Sequence, residues 1–304
     1  MSVTSTSNTE PLYIIIAVIA ILSSILTLGL FIFSFIIKKT ESIMMFLVIN
    51  MLISNLFHVI SYIINWVSSQ TELKYNYESL CTLQSYIMIS SSMSQELWVA
   101  TIAIIVFLTI KNHSICGMIE NNTKKTKVVF ILLFYIFPIL LTLIFALTGL
   151  LGQNSLYCWF KKESKVSTWI VYGIRWGAIV VSLFYSIQIL RHVSSMNNEG
   201  EDRRIKKFGQ KMILYPLIQL IGAIIPTIYR LYVGFVGESV SLQVATVVCG
   251  AIQGILYPIS YGWNSGLFSF VVTGCKKGID EEEEEDYDEE VDITDKRMNL
   301  KIMG

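Results

Sequence analysis

Residues 12–37 read LYIIIAVIAILSSILTLGLFIFSFII and contain no Asp, Glu, Lys or Arg. A helix that crosses the roughly 30 Å hydrocarbon core of a bilayer needs about 20 mostly apolar residues. This stretch is long enough, and it therefore predicts a transmembrane helix. The preceding residues 1–11 are polar and contain Glu10 but no Lys or Arg, so they do not resemble a cleavable signal peptide.

Six more stretches of this kind follow along the chain. They are 43–66, 81–109 (interrupted by Glu96), 128–149, 168–190 (interrupted by Arg175), 212–235 (interrupted by Arg230) and 240–266. The whole chain is 53% hydrophobic and 15% charged, with a mean hydropathy of +0.59, whereas a globular protein has about a quarter charged residues. The sequence predicts an all-α membrane protein, a bundle of seven transmembrane helices at residues 12–266.

The distribution of Lys and Arg predicts the orientation of this bundle. Short cytoplasmic loops carry an excess of basic residues. With the N-terminus outside, 17 of the 23 Lys and Arg residues lie on the cytoplasmic side, four lie outside and two lie within spans. We therefore expect residues 1–11 to be extracellular and the C-terminus to be cytoplasmic.

Two of the five cysteines fall on the predicted outer side. Cys81 begins the third span and Cys158 lies in the loop between the fourth and fifth spans. Both face the oxidising compartment and can pair as a disulfide.

Polar side chains form a stripe on three of the predicted helices. Asn50, Ser54, His58, Ser61 and Asn65 recur at steps of three or four residues in the second span, which places them on one helix face. The third span repeats this pattern around Ser92 and Glu96, and the seventh around Gln253, Tyr257, Ser260 and Asn264. Such stripes serve either hydrogen bonds between helices or a polar cavity that the helices share.

Arg175 and Arg230 lie near the predicted outer ends of the fifth and sixth spans, at similar depth. Glu96 lies deeper in the third span by its residue count, so we expect no carboxylate near either guanidinium. The pair then binds an extracellular anion, or each side chain extends to the outer interface. The candidate ligand-binding residues are Arg175, Arg230, Gln84, Ser85, Trp159 and Gln253.

A second group of residues is expected to connect the outer and inner sides. Pro216 and Pro226 interrupt the sixth span and either bend it permanently or allow it to move. Glu96 is either a packed side chain or part of an activation network. The candidates for that network are Asn55, His58, Glu96, Pro216, Tyr257 and Asn264.

The predicted cytoplasmic side combines a basic rim with an acidic tail. Residues 267–279 predict a short amphipathic segment on the membrane surface, in which Cys275 is either palmitoylated or a free thiol. Residues 280–304 hold 12 of the 23 acidic residues, and such a run is expected to be disordered. The tail is either only solvated or it competes for the basic loops, in which case its deletion raises basal activity. The candidate coupling residues in those loops are Lys124, Lys125, Lys127, Arg203, Arg204, Lys206 and Lys207.

Several of these motifs resemble one known receptor family. They are Tyr157-Cys158-Trp159 together with Cys81, the segments 215–218 and 228–230 of the sixth span, and 252–254 and 260–264 of the seventh. They resemble the cyclic AMP receptor-like family of G-protein-coupled receptors. The resemblance covers the seven-helix body, residues 12–270 or so, and is most specific in the last two spans.

The resemblance implies an outward-facing ligand pocket in the plasma membrane and a heterotrimeric G protein as partner. It implies that Cys81 and Cys158 form a disulfide, that Arg230 is the arginine at the outer end of helix six, and that Asn264 ends helix seven. The partners are then an extracellular small molecule, a G protein and the lipid bilayer, without nucleic acid, cofactor or metal.

Two other classes compete with a receptor. A transporter or channel can use the same polar stripes as a path, although transporters often contain internal repeats and this sequence contains none that we detect. An intramembrane enzyme needs a catalytic cluster, and only three histidines occur. The sequence therefore predicts a receptor that is not an enzyme, with a transporter as the alternative.

Overall fold

The computed structural model describes residues 10–36, 43–70, 77–111, 123–154, 157–161, 164–195, 209–237 and 239–264. Seven helices in these ranges are long and apolar enough to cross a membrane. They are α1 (Glu10–Ile36), α2 (Ile43–Gln70), α3 (Tyr77–Lys111), α4 (Thr123–Ile131, a π-helical turn Leu132–Ile136, and Phe137–Leu147), α5 (Lys165–Ser194), α6 (Leu214–Phe235) and α7 (Val240–Asn264). The predicted seven-helix fold is confirmed.

Helix α3 is the centre of the bundle. It contacts α2, α4, α5 and α6. Of its apolar membrane-spanning stretch 72% is buried, whereas 17% is buried in α4. Its many serines allow close packing, because small residues let neighbouring backbones approach. The serine hydroxyls bond to carbonyls of the same helix, as Ser94 does to Ser90 at 2.9 Å. The apolar side chains on the outer faces of the other helices are the surface that lipid covers.

Several helices extend beyond the charge-free stretches of the sequence. Helix α3 begins at Tyr77 and ends at Lys111, and α5 begins at Lys165 and ends at Ser194. Long charged side chains at helix ends can reach the interface while their backbone stays helical. A rule that ends a span at the first charge therefore makes the helices too short.

A proline explains the π-helical turn in α4. Pro138 has no N–H and cannot donate to the carbonyl four residues before it. The preceding turn Leu132–Ile136 is wider, and the N–H of Phe137 bonds to the carbonyl of Leu132. The hydroxyl of Tyr135 in this turn donates to the Asn50 carbonyl at 2.7 Å, which ties α4 to α2.

A short hairpin between α4 and α5 was not predicted. Strands β1 (Leu151–Asn154) and β2 (Tyr157–Phe160) are antiparallel, and Cys158 in β2 forms a disulfide with Cys81 in α3. The predicted cysteine pair is confirmed. Trp159 and Phe160 beside it are buried in the core. We call the end of the bundle that carries β1 and β2 the hairpin end.

The chain divides into two compact units, Met1–Ser260 and Tyr261–Gly304. The first contains α1 to α6 and most of α7. The described part of the second is the last turn of α7, residues 261–264.

Candidate functional site

A polar cavity lies inside the bundle, near its hairpin end. It is small, with a volume of about 40 Å³, and one water needs roughly 10–15 Å³ of such space. In this conformation it therefore has room for only a few waters. Five helices and the hairpin line it through His58, Tyr62, Met88, Ser92, Gln95, Glu96, Trp159, Tyr172, Arg175, Gly222, Pro226, Arg230, Thr246, Gly250 and Gln253.

The centre of the cavity is an ion pair between α3 and α5. Arg175 Nε lies 2.7 Å from Glu96 Oε1, and the two side chains are only 16% and 4% exposed. The Nε–H bond is not aligned with that oxygen, so the contact is an ion pair without a hydrogen bond. Burying two charges is costly unless they neutralise each other, and here the pair supplies that neutralisation.

This ion pair corrects the expectation that no carboxylate lies near either arginine. Residue counts measure depth along each helix from its own beginning, but α3 begins at Tyr77 and α5 at Lys165. The first residues of these two helices do not lie at one common height in the bundle, so depths counted from them cannot be compared. In addition, the long Arg and Glu side chains extend well away from their Cα atoms. Depths counted along the sequence therefore separate two groups that the fold brings into contact.

Arg175 also contacts α6 where that helix contains a proline. Its Nη2 donates to the Gly222 carbonyl at 3.3 Å. Pro226 lies four residues after Gly222 inside α6, so this carbonyl has lost its usual helical donor. Arg175 supplies a replacement and so connects α3, α5 and α6.

The second arginine lies against aromatic rings. The Arg230 guanidinium carbon is 5.8 Å from the Trp159 ring centroid and 5.3 Å from that of Tyr229. Both distances fit cation–π contacts. Trp159 is buried, and its indole N–H has no hydrogen-bond partner in the described part of the chain. The two side chains thus place a cation and a hydrogen-bond donor on the cavity wall.

Two polar pairs complete the wall on α2 and α7. His58 Nε2 and the Tyr62 hydroxyl are 3.3 Å apart. Gln253 donates from Nε2 to the Tyr257 hydroxyl at 3.2 Å. The predicted polar stripes of α2, α3 and α7 therefore do contribute to one shared cavity, while most of their hydroxyls bond within their own helix, as Ser54 does to Asn50.

The predicted ligand-binding residues separate into two groups. Arg175, Arg230, Trp159 and Gln253 line the cavity. Gln84 and Ser85 are buried one or two turns nearer the start of α3 and are not among its lining residues. Ser85 donates to the carbonyl of Cys81 at 2.8 Å.

The predicted activation residues also fall in different places. His58 and Glu96 line the cavity. Asn55 lies outside it and donates to the Gly254 carbonyl at 2.9 Å, while its own Oδ1 accepts from Gln95 at 3.2 Å. Pro216 is in the first turn of α6, where proline is tolerated, so the interior interruption is at Pro226 alone. Asn264 is the last residue of α7, and its side chain is outside the description.

Three of the predicted coupling residues are described. Lys124 and Lys125 are exposed on the first turn of α4, at the end opposite the hairpin, and the Lys127 ammonium lies 5.3 Å from the Phe46 ring centroid. Arg203, Arg204, Lys206, Lys207 and Cys275 lie outside the described residues, as do residues 1–9 and 265–304.

Sequence reasoning missed part of the wall. The lining residues that were not predicted are Tyr62, Met88, Tyr172, Gly222, Pro226, Thr246 and Gly250. Tyr172 precedes Arg175 by one turn, and Pro226 precedes Arg230 by one turn. A search for residues one turn away from each intramembrane charge would have found both.

Within the described ranges there is no cluster of His, Cys, Asp or Glu that could hold a metal ion.

Comparison with known proteins identifies the family. A sequence profile described as seven-transmembrane receptor (secretin family) matches residues 9–256. No curated protein is similar enough to match. The profile supports a receptor of the seven-helix type and does not favour a transporter, and its members are generally not enzymes. It covers most of the chain, including six complete helices, the disulfide and the cavity. The chain belongs to the secretin family of seven-transmembrane receptors.

Proposed function

We propose that this protein is a G-protein-coupled receptor of the plasma membrane that binds an extracellular anionic small molecule and activates a heterotrimeric G protein. The observation that carries the proposal is the polar cavity. It joins five helices of a seven-transmembrane receptor and contains Glu96, Arg175 and Arg230. A ligand in this place contacts most of the helices whose relative positions define the state of the bundle.

The distribution of charge supports an orientation with the hairpin end outside. Lys111, Lys124, Lys125 and Arg191 are exposed at or near the helix ends opposite the hairpin, as expected for a cytoplasmic side. The Cys81–Cys158 disulfide is at the hairpin end, where an oxidising compartment preserves it. In this orientation residues 1–11 are extracellular, and residues 267–279 and 280–304 form a juxtamembrane segment and an acidic tail in the cytoplasm.

The cavity wall supports an anionic ligand. The Arg230 guanidinium and the Trp159 indole lie side by side there, and a guanidinium binds carboxylate or phosphate oxygens with two parallel hydrogen bonds. Arg175 and Arg230 both line this cavity, so the ligand's charged group is assigned to the two guanidinium groups, with Arg230 beside Trp159. Because the cavity is small, ligand entry requires side chains such as Trp159 to move outward.

The resemblance to cyclic AMP receptor-like proteins suggests which probe to use first. Cyclic AMP carries one phosphodiester charge and a flat base, which suit a guanidinium beside an indole ring. We propose that the chain is a receptor of this type. Glutamate and inorganic phosphate provide a carboxylate and a compact phosphate for comparison.

The test is nucleotide exchange on purified G protein by the receptor in lipid nanodiscs. Each probe is added alone, and we expect one of them to accelerate exchange. Arg230→Gln should weaken the response of that probe about tenfold or more, because it removes a charge-assisted hydrogen bond. Lys161→Gln is the matched control. Lys161 directly follows β2 and does not line the cavity, so this variant should leave the response unchanged.

Two results would contradict the proposal. One is exchange that does not respond to any anion and that equals the rate in empty nanodiscs for several G-protein classes. The other is flux of the same anions through protein-containing liposomes without any G protein, which would identify a transporter.

A further inference from the structure

Two helices contain the same five-residue pattern, a glycine followed four residues later by a proline. The segments are Gly222–Pro226 in α6 and Gly254–Pro258 in α7. Proline has no N–H, so the carbonyl four residues before it loses its helical hydrogen bond. A buried carbonyl without a donor is unfavourable. Glycine at that position leaves room for side chains from other helices, which are Val59 and Ser23 at Gly254 and Gln253 at Gly222.

In α7 the freed carbonyl is held by neutral side chains. Asn55 Nδ2 donates to the Gly254 carbonyl at 2.9 Å, and Ser23 Oγ donates to it at 2.6 Å. Asn55, Ser23 and Gly254 are not among the residues that line the cavity. The bend of α7 is therefore stabilised from α1 and α2 by neutral side chains that do not line the cavity.

In α6 the freed carbonyl is held by a charged side chain of the cavity wall. Arg175 donates to the Gly222 carbonyl at 3.3 Å while its Nε pairs with Glu96 at 2.7 Å. Arg175, Glu96, Gly222 and Pro226 all line the cavity. An anion in the cavity thus competes directly with both partners of Arg175.

Two further contacts from the same face of α5 surround this point. The Tyr172 hydroxyl donates to the Pro226 carbonyl at 3.4 Å, and Trp176 Nε1 donates to Thr227 Oγ1 at 3.1 Å. Residues 172, 175 and 176 lie on one helix face. This face of α5 therefore contacts α6 on both sides of the bend at Pro226. Arg175 is the charged member of this set, and its contact is the one that an anion can remove.

We infer that Arg175 is a releasable clamp on α6: its hydrogen bond to the carbonyl freed by Pro226 holds α6 in the present bend, and an anion that draws Arg175 away allows α6 to change position. The equivalent contact in α7 is fixed. This inference specifies how the site of the proposed function is regulated and rests on that proposal only for the identity of the signal, because the clamp itself is a property of the protein alone.

The experiment is a double-mutant cycle in which the measured quantity is the distance between spin labels on α3 and just before α6. Arg175→Lys keeps the charge beside Glu96 but cannot reach two partners with separate nitrogens. Pro226→Ala gives α6 its own N–H donor for Gly222, so Arg175 is no longer needed there. Spin labels at Lys111→Cys in α3 and Gln210→Cys before α6 report the position of α6 by electron–electron double resonance in the purified protein. The background replaces the other cysteines that the disulfide does not use, Cys116, Cys249 and Cys275, with alanine.

We expect Arg175→Lys to shift the ratio of short to long distances about tenfold, the effect of losing one hydrogen bond to a charged group. In the Pro226→Ala background the same change should alter the ratio less than twofold. In the Pro258→Ala background, the matched control in α7, the full shift should remain. Equal shifts in the two proline backgrounds, or no shift with Arg175→Lys alone, would overturn the clamp.

Two further choices keep the result decisive. If Arg175→Lys does not fold, Glu96→Gln with Arg175→Gln replaces it, because that pair removes both charges together. The distance measurement contains no G protein or ligand and is independent of the nucleotide-exchange assay. The expected distance shift, together with no response to any anion in the exchange assay, would refute the proposed function and leave the clamp intact. The reverse result would refute the clamp alone.

Discussion

The strongest prediction concerns the ion pair between Glu96 and Arg175. Glu96→Gln keeps the shape of the side chain but leaves the Arg175 charge buried without its carboxylate. The pair is 2.7 Å apart, with side chains 4% and 16% exposed, so solvent screens it little. Removal of one partner from such a pair costs about 3–5 kcal/mol.

The assay is thermal unfolding of the purified receptor in one detergent at fixed protein concentration. For a chain of this size a loss of 1 kcal/mol lowers the Tm by roughly 2 °C. We therefore expect Glu96→Gln to lower the Tm by about 6–10 °C. The double variant Glu96→Gln with Arg175→Gln has no unpaired charge, and it should recover at least half of that loss.

A second ion pair provides the control. Lys161 Nζ lies 3.6 Å from Glu78 Oε1, but these side chains are 43% and 85% exposed. An exposed pair contributes less than about 1 kcal/mol, so Lys161→Gln should lower the Tm by less than about 2 °C. A Glu96→Gln variant as stable as Lys161→Gln, or a double variant in which the two losses add, would refute the reasoning.

Three more predictions follow from the packing, the disulfide and the charge of the other end. Gly254→Ala should cost about 1–3 kcal/mol, because its Cβ would lie 2.6 Å from Val59 Cγ2, whereas Gly29→Ala has no atom within 4 Å and should not lower the Tm. Serine at both disulfide positions opens a link between residues 77 apart in sequence, and the chain-entropy estimate is about 4–5 kcal/mol; an unchanged Tm would contradict it. Lys124→Glu together with Lys125→Glu should slow ligand-stimulated nucleotide exchange about tenfold at low salt and less at high salt. A loss of exchange that does not depend on salt would exclude an electrostatic contact with the G protein.

The positions of the helices were largely predictable from the sequence, because the bilayer imposes one strong constraint. Every backbone polar group must be satisfied within the hydrocarbon, and long charge-free stretches are consequently helical. The polar stripe of α2 was predictable for the same reason, and Asn50, Ser54, His58 and Ser61 are indeed buried. Their individual partners were not predictable, since a stripe shows which face is buried and does not show what it meets.

The contacts of the charged residues could not be predicted from spacing. Arg175 and Glu96 are 79 positions apart in the chain, and their distance depends on the relative height of two helices. The hairpin places Trp159 over the cavity in the same way, through the Cys81–Cys158 link. In each case the contact is made by elements that are remote in sequence.

The sequence by itself determined the number of spans, the buried faces and the cysteines on one side, because hydropathy and helical period are local properties. Only the tertiary structure decided that Arg175 pairs with Glu96 and holds the Gly222 carbonyl of α6. Both prolines are visible in the sequence, but which side chain replaces the missing N–H depends on how the helices pack. That packing places a neutral pair on α7 and a charged clamp on α6.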